Sequence, residues 1–199
     1  MKNFAIRRFN STDSIEEVTE ILHRAFAPMA RLGANCQCAH QPSSTTRERM
    51  ARGDCLVAMA DRRIVGTLTM ETCDPSSSIA HYRKPNVASL HQFAVDPAYQ
   101  GGGVGRSLLK VAFMWARMRQ FGEIALDTPA LALDVHAFYA HQGFRLVQIA
   151  RLAGRSYDSV IMSRPISIEP RAQAGVIRRA TELAALARDA NDRATRRLH

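Results

Sequence analysis

The sequence predicts a mixed α/β (α+β) fold, a mostly antiparallel sheet with one parallel strand pair, flanked by helices. Three observations predict it. Strand-like alternation and helical periodicity succeed one another in the order β-α-α-β-β-β-α-β-α-β-β. Two strand pairs, 55–60 with 64–73 and 144–152 with 156–164, are joined by short turns and read as antiparallel hairpins. One strand-helix-strand passage, over 87–127, calls for a right-handed crossover and so for a parallel pair.

The elements follow in order. "FAIRRFN" (4–10) alternates as a first strand. "SIEEVTEILHRAF" opens with Ser14 and Glu17 at capping-box spacing and carries Ile15, Val18, Ile21, Leu22 and Phe26 on one face, a helix expected to end before Pro28. Thr45 and Glu48 repeat that spacing for a short helix closed by Gly53. The irregular stretch between the two helices is placed to be a substrate loop, as is 74–86. "CLVAMA" and "IVGTLTMETC" turn at Asp61-Arg62-Arg63 without a glycine. "VASLHQFAV" (87–95) is a strand, and 104–121 a helix with Val104, Leu108, Val111, Trp115 and Met118 on one stripe, stopped by Gly122. "EIALD" (123–127) is a buried strand, "LALDVHAFYAHQG" a helix ending at Gly143, and the second hairpin turns at Ala153-Gly154-Arg155.

The chain has 199 residues, 46% of them apolar, enough for one packed domain. No apolar run approaches the ~20 residues of a membrane span, and the N-terminus lacks a secretory pattern. Cys36, Cys38, Cys55 and Cys73 do not form a disulfide framework, and a reducing cytoplasm is the expected setting. "CQCAH" with His23 lacks the paired spacing of a zinc site, so no metal is expected. The net charge of +9 includes +4 between Pro170 and His199, where seven arginines face three acids. The expected organisation is a domain over 1–168 and a basic amphipathic helix over 169–199, its stripe of Val176, Ala180, Leu183 and Ala187 suited to docking on its own domain or on a second copy in a homodimer. The tail lacks aromatic platforms among its arginines, which disfavours nucleic acid as a partner.

The densest signal is "VDPAYQGGGVGRSLLK" (95–110), with glycines at 101, 102, 103 and 105 between a strand and a helix. Such a turn presents free backbone N–H groups at the positive end of a helix dipole, and missing Cβ atoms let oxygens reach them. The visitor is expected to be a phosphate, with Arg106 adding a charge-assisted contact. The Walker pattern fails for want of Gly-Lys-Ser/Thr, and a Rossmann fingerprint fails because arginine holds its third glycine position.

Gln100-Gly101-Gly102-Gly103-Val104-Gly105, preceded by "FAVDPAY", resembles the acetyl-CoA motif of the GNAT superfamily of N-acyltransferases, and "HAFYAHQGF" (136–144) resembles that family's second conserved segment. The resemblance covers about 4–163. It implies a GNAT-like sheet whose parallel strands splay apart, and acetyl-CoA as the cofactor. It implies pantetheine pairing at Phe93 and Val95, pyrophosphate on the N–H groups of 101–106, and an oxyanion held by an N–H near Phe93 or Ala94. Tyr139 matches the family's proton donor. His91, expected on the same strand face as Phe93, Glu71 and Asp127 are base candidates. Ser89 stands where some members place a glutamate, and Ala132 where an asparagine is frequent. The expected function is therefore acetyl transfer to a primary amine, in a small molecule or a peptide, by direct attack in a ternary complex. A non-catalytic CoA-binding sensor is the alternative, and Tyr139 favours the enzyme.

Overall fold

The computed structural model describes residues 3–167. The tail helix and the division expected after residue 168 lie outside the described residues. Seven strands, β1 (Ala5–Arg8), β2 (Asp54–Ala60), β3 (Arg63–Glu71), β4 (Val87–Val95), β5 (Glu123–Pro129), β6 (Arg145–Arg151) and β7 (Asp158–Pro165), form one sheet in the order β1-β2-β3-β4-β5-β7-β6. Four α-helices among the described residues flank it: α1 (Ile15–Arg31), α2 (Ser43–Met50), α3 (Val104–Met118) and α4 (Leu133–His141). Every strand pairing is antiparallel except β4 with β5, the two ends of the expected crossover.

Each sheet face has its own core. On one, Leu68, Met70, Ala88, Leu90, Ile124 and Leu126 pack under Val104, Leu108, Ala112 and Trp115 of α3. On the other, Val57, Ile64 and Ala94 receive Ile15, Val18, Ile21 and Leu22 of α1. Burial of these side chains dominates the stability of such a layer architecture. No helix among the described residues is long and apolar enough to cross a membrane.

Five local expectations are corrected. α1 does not stop before Pro28 but continues to Arg31, because Phe26, Met29 and Ala30 pack on Ala34, Cys36, Ala39 and Tyr157. Half of its capping box forms: Ser14 accepts from the Glu17 N–H at 3.1 Å, while the Glu17 carboxylate accepts from Ile64 N–H at 3.4 Å. α2 starts at Ser43 with Pro42 as its unassisted cap, so Thr45 lies inside the helix. Gly53 does not close α2. A Cβ there would stand 2.1 Å from the Met70 carbonyl oxygen, so it is backbone approach that excludes a side chain. α3 ends at Met118, ahead of Gly122, where Gln120 turns the chain with φ +64°. The glycine-free β2–β3 turn is explained by Asp61 and Arg62, both in the left-handed region at φ +49° and +64°.

Candidate active site

β4 and β5 pair only through Val87–Glu123, Ala88–Ile124 and Ser89–Ala125, although both strands run further. Beyond Ser89 they part. A cleft of ≈ 1030 Å³ opens there, walled by Leu90 to Val95 on one side and Leu126 to Pro129 on the other. The backbone of β4 facing this gap is left without a ladder partner among the described residues. Such an edge accepts another extended chain, as any free sheet edge does.

At the C-terminal end of β4 the chain passes into the glycine turn. Asp96 caps it by accepting from Ala98 N–H at 2.9 Å, and Arg24 of α1 holds the same carboxylate at 2.7 Å. Gln100 donates from Nε2 to the Val95 carbonyl at 3.0 Å, tying the turn to the strand. Gly101 and Gly103 have φ +74° and +89°, and a Cβ on either would meet nothing within 4 Å. These positions therefore favour glycine for backbone conformation and leave open space above the N–H groups. Gly103 is the N-cap of α3, whose first turn carries Val104, Gly105 and the exposed Arg106. Free N–H groups, dipole and open space together fit a phosphate-bearing cofactor.

A bulge in β4 reorganises the side chains over the cleft. The register with β3 slips between Thr67–Ala94 and Thr69–His91, and Gln92 adopts φ +47°. Because the parity changes there, His91 and Phe93 lie on opposite faces, contrary to the expectation that they share one. Phe93 packs with Phe138 and Tyr139, ring centroids 6.3 and 6.1 Å away, on the α3–α4 face. His91 packs edge-on against Tyr82 at 5.7 Å on the other face.

Tyr139, on α4, is 8% exposed and lines the cleft. Burial, followed by the charge of Asp127, pushes its phenol well above the ordinary value, so it holds its proton at neutral pH. His91 Nε2 lies 2.8 Å from Ser89 Oγ and 3.7 Å from a Glu71 carboxylate oxygen. Glu71 pairs across the ladder with Ser89, so an acid from the neighbouring strand stands opposite that serine. Burial lowers the His91 pKa, with Glu71 opposing, which keeps the imidazole neutral and able to accept a proton. Asp127 also borders the cleft, but it accepts from Tyr82 Oη at 3.2 Å and is ion-paired with Arg155.

The expected substrate loop after α1 does form a wall, with Asn35 to Cys38, His40 and Gln41 lining the cleft. It is clamped to the β6–β7 turn: Asn35 donates to the Gly154 carbonyl at 2.8 Å and accepts from Ser156 N–H at 2.7 Å. The second expected loop, 74–86, instead turns Tyr82 inward to Asp127. Arg49, Gln92 and Arg155 line the cleft without any sequence signal, since α2, a strand interior and a hairpin turn carry no motif. Cys36 and Cys38 are free and buried, and burial raises both thiols. Among the described residues no cluster of His, Cys, Asp and Glu is placed to hold a metal ion.

Residues 15–144 match the model of the acetyltransferase (GNAT) family. Human N-acetyltransferase 8 is 26% identical over 110 residues, covering 54% of this chain and 46% of that protein. Human N-acetyltransferase 8B is 27% identical over 95 residues, covering 47% and 39%. The chain thus spans less than half the length of the curated relatives it matches. Among solved structures, the ribosomal-protein-S18-alanine N-acetyltransferase of Escherichia coli superposes with a TM-score of 0.62 at 22% identity, over 85% of this chain and 98% of that one. A GNAT family acetyltransferase from Elizabethkingia anophelis, solved with acetyl-CoA bound, superposes at 0.58 with 15% identity, over 82% and 98%.

Proposed function

This chain belongs to the GNAT acetyltransferase family, and on that premise we propose that it transfers an acetyl group from acetyl-CoA to a primary amine, by direct attack within a ternary complex. The parting of β4 from β5 beside the glycine turn, with a protonated phenol on one face and a neutral imidazole on the other, carries this reading. Bound acetyl-CoA supplies the acyl group as an activated thioester.

The N–H groups of Gly101, Gly102, Gly103, Val104, Gly105 and Arg106 hold the pyrophosphate, and Arg106 adds its charge. The free edge of β4 at Phe93 and Val95 pairs with the pantetheine amides, while Gln100 keeps that edge in register with the turn. A backbone N–H near Phe93 or Ala94 steadies the negative charge that develops on the thioester oxygen. An alkylammonium must lose a proton before it attacks. With its Nε2 turned to Ser89 and Glu71, His91 keeps Nδ1 as the site that accepts this proton. Tyr139 gives its proton to the departing thiolate.

The test is a panel of amines incubated with acetyl-CoA, read by release of free thiol. Amine-dependent thiol release is the expected outcome. Binding of CoA without turnover of any amine would point instead to a cofactor-sensing module.

A further inference from the structure

The acceptor side of the cleft contains two hydrogen-bonding groups whose capacity the protein itself does not fill. The first is Arg49, half-buried on α2 and lining the cleft. Its Nη1 donates to Gln41 Oε1 at 2.6 Å and to Cys38 Sγ at 3.3 Å, both neutral. No carboxylate stands within ion-pair distance of it among the described residues. The other cleft arginine, Arg155, is by contrast neutralised by Asp127. A partly desolvated cation without a counter-charge is costly, and the cost is recovered if a ligand brings one.

The second is Gln92. Its Nε2 is the one buried side-chain nitrogen or oxygen among the described residues without a hydrogen-bond partner, while its Oε1 lies 3.5 Å from Thr69 Oγ1. It is also the bulge residue, held at φ +47°, a conformation that a non-glycine residue adopts at a cost and that gathers at functional sites. The N–H is closed off from solvent, so engaging it requires the terminal amide to turn toward the cleft, a rotation about a soft bond.

Resting on the acetyl-transfer reading above, we infer that the acceptor is an amino acid or a close analogue, whose free carboxylate is held by Arg49 and by the side-chain amide of Gln92 while its amine meets His91. The bulge supplies the spacing. It makes His91 and Gln92 consecutive on one face, so the group that takes the proton and the group that holds the oxygen are neighbours. An α-amino acid carries its amine and its carboxylate on adjacent carbons, so one small molecule brings both groups to these neighbours. One uncompensated cation beside one neutral amide donor suits a single negative charge and gives little to a phosphate dianion. A peptide N-terminus offers only a neutral carbonyl and leaves Arg49 unmatched. The acids near this wall are accounted for: Asp127 is spent on Arg155 and Tyr82, Glu71 backs His91, and Asp134 is exposed at the start of α4.

The experiment compares, in the full-length chain with acetyl-CoA, three acceptors of matched side chain: the free amino acid, its amide and the decarboxylated amine, repeated for several side chains. The expected kcat/KM order is acid above amide above amine, with acid over amine by about tenfold or more, as for a hydrogen-bonded charged pair. In Arg49→Met that ratio collapses toward one, in Arg49→Lys it is partly kept, and in Gln92→Glu, which places a negative charge against the carboxylate, it inverts. The ratio is internal to each variant, so a merely structural loss lowers all three rates and leaves it unmoved. Transfer to all three acceptors without preference in the wild type, or full preference retained in Arg49→Met, overturns the carboxylate assignment and leaves acetyl transfer standing. A cofactor-induced rise in melting temperature with no transfer to any acceptor overturns both.

Discussion

In the proposed reaction His91 takes a proton from the amine and Tyr139 gives another to the thiolate, and burial shifts the two groups in opposite directions. Tyr139 is kept protonated by burial, so its replacement by phenylalanine removes a proton and keeps the ring among Phe93, Phe138 and Phe144. Single-turnover acetyl transfer should fall by about a hundredfold, within the range for one lost general acid, with CoA affinity little changed. A Tyr139→Phe protein with wild-type single-turnover rate removes that role. For His91 the prediction is a pH profile. Burial lowers its imidazole from the ordinary 6.5, so kcat/KM should decline only as pH falls below that value. Glu71 opposes that lowering, so Glu71→Gln takes away support for the charged form and the acid limb should move to still lower pH. A limb displaced upward would show that the titrating base is another group. Neither environment was visible in the sequence, which left His91, Glu71 and Asp127 open as base candidates. The bulge that separates His91 from Phe93 depends on one backbone conformation, Gln92 at φ +47°, which no residue type announces.

At the level of elements, what was legible followed from periodicity and glycine, and what was not followed from tertiary contact. β4 and the start of α3 read directly from alternation and the helical stripe. The extension of α1 past Pro28 did not, because its cause is packing on Tyr157 some 130 residues away in sequence. Gly53 looked like a helix stop and proves to be a strand clearance. Gly53→Ala should therefore lower stability by about 1–3 kcal/mol, the usual cost of forcing extra atoms into a packed site, seen as a melting temperature several degrees lower. An unchanged melting temperature would mean that β2 and β3 separate there freely. Gly103→Asp tests the turn. Aspartate is strained at φ +89°, but it is among the residues that visit the left-handed region and the space at Gly103 is open, so the fold should survive at some cost in stability. Its charge falls where a phosphate is expected, so the CoA-induced rise in melting temperature should vanish. A full shift in the folded variant would move the phosphate site elsewhere.

Considered whole, the cleft draws on both faces of the sheet, and its lining among the described residues lies between Ala25 and Tyr157. The order of elements and the single parallel pair were legible because a crossover leaves a strand-helix-strand signature. That the pair splays was expected from the resemblance, but the residue at which β4 and β5 stop pairing was not legible, because both strands continue in sequence as if they stayed paired. Folding and cofactor binding are linked through this geometry: the gap between β4 and β5 exists only when both strands are in the sheet. CoA should then bind the native chain alone and raise its melting temperature, by the equivalent of about 2.7 kcal/mol at one hundred times Kd. Because no lining residue among the described ones comes from beyond Tyr157, a chain shortened to residues 1–169 should show the same shift at the same CoA concentration, measured by thermal denaturation. If the basic tail joins two copies, light scattering should report a smaller particle for the shortened chain with that shift intact. A shortened chain that folds cooperatively and no longer responds to CoA would show that the tail completes the cofactor site.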